Sequence, residues 1–300
     1  MIPRISALVA CAVSIVACAG PRGGSAQNAP ARPIDAAWDS VGRVLQSPPA
    51  PNTGYIRYNF PRRDIALTVA DVSVSPALAL GAWAGFSGAP GQSMMMGDLV
   101  LLSTELKPVL AELARQDIGV TAIHNHIAGE SPQITYVHYH AEGAAMVLAA
   151  RLSSVIGKSG IPRPVTPATQ PVTADTTRVF AAMGQSGRAS GNVVQLSYML
   201  VSQPVTMHGM TLVPAMAYGT PVNLQFVGSD RLVATGDYSV LGEKVDGVTR
   251  ALAAHGITAT AVHSHLVGES PHIYYIHFWA DGPVGDVLTG LRAAVDAGRP

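Results

Sequence analysis

Residues 118–143 read IGVTAIHNHIAGESPQITYVHYHAEG, and residues 257–282 read ITATAVHSHLVGESPHIYYIHFWADG. His263 follows His124 by 139 residues, and the same offset superposes His126/His265, Tyr136/Tyr275, His138/His277 and Gly143/Gly282. Gly-Glu-Ser-Pro stands at 129–132 and again at 268–271. The match runs upstream through Gly97-Asp98/Gly236-Asp237, and with a one-residue gap reaches Pro76-Ala77/Pro214-Ala215 and Gln46-Ser47/Gln185-Ser186. Self-similarity over such a span marks one structural unit written twice.

The expected organisation is therefore a first repeat domain at 34–160, a linker at 161–174 and a second repeat domain at 175–300. The linker carries Pro162, Pro164, Pro167 and Pro171, too many fixed φ angles and missing N–H donors for a regular element. Within each repeat the spacing predicts a short helix (38–45 and 177–183), then strands at 55–60, 66–74, 78–86 and 94–102. A helix follows on Leu106, Val109, Leu110 and Leu113, with Pro108 expected in its first turn, and its twin uses Val245, Val248 and Leu252. Strands at 120–126 and 134–140 precede a last helix on Met146, Ala149, Leu152, Val155 and Ile156. That order predicts an α+β fold: two tandem homologous domains, each a mostly antiparallel sheet with packed helices.

Composition excludes several function classes. Nineteen Lys+Arg balance nineteen Asp+Glu in 300 residues, so no basic field is available to nucleic-acid phosphates. Hydrophobic residues make up 48% and charged ones 13%, which excludes a disordered polyelectrolyte. Beyond the first nineteen residues no uncharged apolar run approaches the roughly eighteen residues of a spanning helix.

The N-terminus reads as an export signal. Arg4 precedes an apolar run over residues 5–16, then Ala17-Cys18-Ala19-Gly20. Residues 1–18 are expected to be a signal peptide ending in a lipobox, Ile15-Val16-Ala17-Cys18, with Cys18 lipidated and 19–33 a Gly/Ser/Pro-rich tether. The expected partner is then a membrane, through the lipid anchor, at the periplasmic or cell surface; free secretion is the alternative. Both cysteines, Cys11 and Cys18, fall in this segment, so the folded domains contain no disulfide.

Eight of the ten histidines lie in the two matching windows. Imidazole is the commonest metal ligand, and His-x-His in a strand puts both rings on one face. The candidate ligands are His124, His126, Glu130, His138 and His140 in the first repeat, and His263, His265, Glu269 and His277 in the second. With no thiolate available, such a set suits zinc or another divalent transition metal. A tight hairpin around 127–133 would set His138 opposite Val120 and keep all the histidines of one repeat from meeting at one ion. Three arrangements answer that: a wide loop, His-x-His acting with the glutamate alone, or the two repeats pooling His124/His126 with His263/His265. Because Trp279 replaces His140 and Asp281 replaces Glu142, the fuller site is expected in the first repeat and a weaker one in the second. Tyr136, Tyr275 and Trp279 are candidate walls of a small-molecule groove. The alternative functions are an extracytoplasmic small-ligand binding protein, of a sugar for example, and a metal-dependent hydrolase.

The repeated His-x-His, Gly-Glu-Ser-Pro, Tyr-x-His and Gly pattern, after a Gly-Asp strand and a helix, resembles the LppY/LpqO-type bacterial lipoprotein family. The resemblance covers about residues 35–297. It implies export and a tandem domain of unknown function, and it implies no activity, substrate or cofactor.

Overall fold

The computed structural model describes residues 1, 35–168 and 170–300. The expected signal peptide, the lipobox with Cys18, and the tether lie outside the described residues. In chain order the first repeat contains α1 (Ala36–Leu45), β1 (Ala50–Asn52), β2 (Tyr55–Pro61), β3 (Thr68–Val69), β4 (Val72–Ser73), α2 (Pro76–Ala79), β5 (Gly81–Ala89) and β6 (Gln92–Leu102). It continues with α3 (Ser103–Arg115), β7 (Gly119–His124), β8 (Glu130–Ser131), β9 (Ile134–Gly143) and α4 (Ala145–Ile156). The second repeat contains α5 (Thr176–Met183), β10 (Arg188–Ser190), β11 (Val193–Tyr198), β12 (Thr206–Met207), β13 (Met210–Thr211), α6 (Pro214–Ala217) and β14 (Thr220–Val227). It ends with β15 (Arg231–Leu241), α7 (Gly242–Ala254), β16 (Thr258–His263), β17 (Ile273–Pro283) and α8 (Val284–Gly298).

Each repeat builds one six-stranded antiparallel sheet, in the order β1-β2-β5-β6-β9-β7 and β10-β11-β14-β15-β17-β16. The α+β architecture of two homologous domains is what the duplicated pattern predicts. Helices cover one face of each sheet. In α4, Leu148, Ala149, Leu152, Val155 and Ile156 recur at helical spacing and are buried in the first core, and α8 repeats this with Val284, Val287, Leu288, Leu291 and Val295. Asp35 starts α1 by accepting from Ala37 N at 2.9 Å, which satisfies one of the donors a helix start leaves open.

The other sheet face meets the partner repeat, which is why nearly every residue of β6 and β15 is buried. A shared cluster joins Tyr55, Met94 and Met96 to Met207, Leu212, Met216, Leu266 and Tyr275. Side-chain amides lock the contact: Gln225 Oε1 accepts from Ser75 N at 2.7 Å, and Asn223 Nδ2 donates to Leu78 O at 2.9 Å. The β3–β4 and β12–β13 hairpins act as reciprocal arms. Asp71 at the first tip binds Arg231, which also holds Asp281, while His208 at the second tip meets Glu142 at 3.3 Å.

Three local expectations need correction. The stretch 66–74 is a two-strand hairpin turning at Ala70, whose φ is 50°, and not one strand. The strand expected from Leu78 begins at Gly81, because Pro76 opens a one-turn helix capped by the Ser75 hydroxyl. Pro108 sits in the second turn of α3, which starts earlier, at Ser103; its missing N–H costs a single ladder bond.

Candidate metal centre

The donors come from β6, β7 and β9 and their counterparts β15, β16 and β17. Asp98 pairs in register with His138, and His138 with Ala122; Asp237 pairs with His277, and His277 with Ala261. A register shift between Val120 and Ala122 moves His138 toward the end of β7 that carries His124, so it does not lie opposite Val120. His126 and His265 stand two residues past the strand ends. Gly97 and Gly236 precede the aspartates because the backbone is crowded there: a Cβ at Gly97 would meet Tyr139 Oη and Trp83 O, and one at Gly236 would meet Pro221 O.

Six imidazoles converge across a pseudo-twofold axis. His124 and His263 stand 4.1 Å apart between ring centroids, His126 stacks on His277 at 3.9 Å, and His138 on His265 at 3.8 Å. Thus each repeat's loop histidine packs on the other's strand histidine. Three donor sets lie within 4.8 Å: His124/His263/His265/His277, His124/His126/His138, and His126/Asp237/His277. His124 belongs to two of them, one spanning both repeats and one confined to the first, so the two groups share a donor. Two of the three arrangements the sequence allows are present together: two sets pool the repeats and bring in His277, while His124/His126/His138 meet within the first repeat across an open loop.

The spacing suits a cation. His126 Nε2 lies 3.1 Å from His124 Nε2, and His265 Nε2 lies 3.3 Å from His277 Nε2. Two nitrogens bound tetrahedrally to one zinc at its usual bond length stand about 3.3–3.4 Å apart. His124 Nδ1, His138 Nε2 and both ring nitrogens of His263 are buried without a hydrogen-bond partner. Unpartnered buried imidazole nitrogens are costly unless something accepts their lone pairs.

Burial sets the protonation. It pushes the imidazoles of His124, His126 and His265 far down, and neighbouring histidines add to this. It lowers His138 to about 3 and His263 to about 4. All five are neutral at pH 7, the form that ligates metal. Asp98 is pushed well up by burial first and by Asp237 second. His277 Nδ1 contacts Asp237 Oδ1 and lies 3.2 Å from Gly236 O, leaving Nε2 for the centre. Carboxylate behind histidine is the usual support of a metal ligand.

The remaining candidates take other places. Glu130 pairs with Val69 in β8, outside the three donor sets. Glu269 is 7% exposed and organises its own loop: Oε1 accepts from Ile273 N at 3.1 Å and meets His272 Nδ1 at 2.7 Å. The Gly-Glu-Ser-Pro loop thus ties the sheet to the hairpin arm, as the Thr206–Ser270 backbone pair (2.9 and 2.8 Å) also shows. His140 lies apart, with His208 at 5.2 Å. Trp279 packs against the first repeat's core. Tyr136 and Tyr275 stand behind the loop histidines, stacking on His126 at 3.5 Å and on His265 at 3.8 Å, and each hydroxyl donates to a backbone carbonyl at 2.8 Å. Asp98 and Asp237 are the residues the sequence reading left unassigned; their duplication within Gly-Asp was the signal.

Two α+β repeats sharing one histidine centre define the class. The chain belongs to the family described as Domain of Unknown Function (DUF1259), which it matches twice, at residues 39–158 and 177–297. No curated protein matches it. A solved structure, a double ringed trimeric shell protein from the RMM microcompartment, aligns over 81% of this chain and 93% of its own at 10% identity, with a TM-score of 0.19. So low a score carries no argument about this chain.

Proposed function

We propose that this protein holds zinc or another divalent transition metal between its repeats. The observation that carries the reading is the convergence of six close imidazoles from two homologous sheets, several with unpartnered nitrogens. His124, His126, His138, His263, His265 and His277 would supply the ligands, and Asp98 and Asp237 would orient them. Bound there, the metal would supply Lewis acidity toward an oxygen donor reaching it from the adjoining cavity. The chain's own part is to keep His124, His126, His138, His263 and His265 neutral by burial, to fix the His126 and His265 rings on Tyr136 and Tyr275, and to limit water access.

The lipobox at Cys18 and the LppY/LpqO-type resemblance support an exported, membrane-anchored placement for this metal protein. No helix among the described residues is long and apolar enough to cross a membrane. Elemental analysis of protein purified without a histidine tag tests the metal reading. Stoichiometric transition metal, removed by chelation and restored by zinc, is expected; metal at trace level after zinc loading would overturn it.

A further inference from the structure

The metal donors are duplicated, but the wall beside them is not. A cavity of about 700 Å³ opens between the repeats and reaches Asp98, His126, His138, Asp237 and His265. On its first-repeat side a cross-strand row runs Asn59, Trp83, Asp98, His138 in register. Arg57 stands two residues before Asn59 on β2. The second repeat has Gln195, Ser197 and Pro221 where the first has Arg57, Asn59 and Trp83.

Arg57 is built into the wall. Its Nε donates to Asn59 Oδ1 at 2.8 Å, and its guanidinium lies 4.3 Å over the Trp83 ring. Among the described residues it forms no ion pair, and the Tyr55 hydroxyl is the other side-chain group within hydrogen-bonding reach of it. Its counterpart Gln195 is committed to the repeat interface, donating to Ala77 O at 2.7 Å. Arg188 lines the same cavity and likewise has no ion pair among the described residues. A guanidinium fork held by its Nε and supported by an aromatic face is preorganised for a carboxylate or phosphate.

We propose that this cavity binds a small organic anion, its carboxylate or phosphate headgroup held by Arg57 with Arg188 beside it. From the Asn59 strand to the His138 strand is three strand spacings, about 14 Å between backbones. Side chains from both ends shorten that gap, so a molecule of monosaccharide or dipeptide size, anchored on Arg57, presents its far end to the histidines. The headgroup site stands by itself; contact of the far end with a metal rests on the function proposed above.

The test is calorimetric titration of the full chain with glutarate, D-glucuronate, D-glucose 6-phosphate and D-glucose, in chelated and in zinc-loaded protein. Saturable binding of at least one anion, and none of glucose, is expected in both states; carboxylate against phosphate preference identifies the headgroup. Arg57→Gln, which installs the residue the second repeat carries there, should weaken that binding at least about tenfold, and Arg57→Lys should weaken it less. Unchanged circular dichroism and an unchanged unfolding midpoint confirm that the variant folds. No binding of any anion at about 10 mM, or binding indifferent to Arg57→Gln, overturns the inference and leaves the metal reading intact. Arg57-dependent binding in a protein that retains no zinc supports the headgroup site and counts against the metal alone.

Discussion

His124 and His263, the same position in two copies of one sequence, face each other across the repeat interface with ring centroids 4.1 Å apart. A duplication has thereby turned two three-histidine strand pairs into one centre. Each copy's loop histidine is closed over by the other copy's strand histidine, so the donor set depends on the repeats staying docked.

Asp237→Asn should leave the fold intact while weakening metal binding. Asp237 contacts His277 Nδ1 and fixes the ring with Nε2 toward the centre. Loss of such a supporting carboxylate lowers metal affinity by about 10–100-fold. Competition with a chromophoric chelator reads this directly; an unchanged affinity would assign Asp237 no orienting role.

Gly97→Ala should destabilise the first repeat, and Gly236→Ala the second. The added Cβ has no room against Tyr139 Oη and Trp83 O in one case and Pro221 O in the other. Backbone does not give way as a flexible side chain would, so a loss of about 2–3 kcal/mol in urea unfolding is expected. A neutral substitution would mean that the neighbouring strands of the same sheet leave more room at these glycines than described.

Metal-free protein should lose stability as pH falls below about 6.5. The folded pKa of His138 is lowered to about 3 and that of His263 to about 4, below the unfolded value of about 6.5. Between those limits the unfolded chain binds more protons than the folded one, so stability is full above pH 6.5 and falls through the window from 6.5 to about 3. Urea midpoints at pH 7.5, 6 and 5 check the sign. A flat profile would show that the imidazoles are solvated.

Cys18→Ser should move the protein from the membrane fraction to the soluble one. The motivation is the Ile15-Val16-Ala17-Cys18 sequence after an uncharged apolar run. Unaltered detergent partitioning of the variant would remove the lipid anchor and leave export untouched.

The sequence makes the repeats legible because identical ligand spacing is hard to produce by composition, and strand and helix periods alternate cleanly around it. Sequence cannot show that His124 and His263 touch. Nothing local distinguishes two separate sites from one shared site, since docking depends on distant amides such as Asn223 and Gln225 and on the hairpin tips. Glu130 and Glu269 looked like ligands because they follow His-x-His closely. Their loops instead follow the backbone pairing at Ser131 and Ser270. Asp98 and Asp237 were concealed by distance along the chain, and sheet register brings each beside its histidine. Arg57 carries no repeat signal at all; its meaning comes from the wall it shares with Trp83.

The measurement that bears most directly on a shared centre is the metal content of two paired variants, His124→Ala/His126→Ala and His263→Ala/His265→Ala, each reloaded with zinc and measured beside the wild type. A centre built by both repeats predicts that both variants lose nearly all bound metal, with circular dichroism unchanged. Half the wild-type content in each variant, or full content in the second, would contradict it and restore one independent site per repeat.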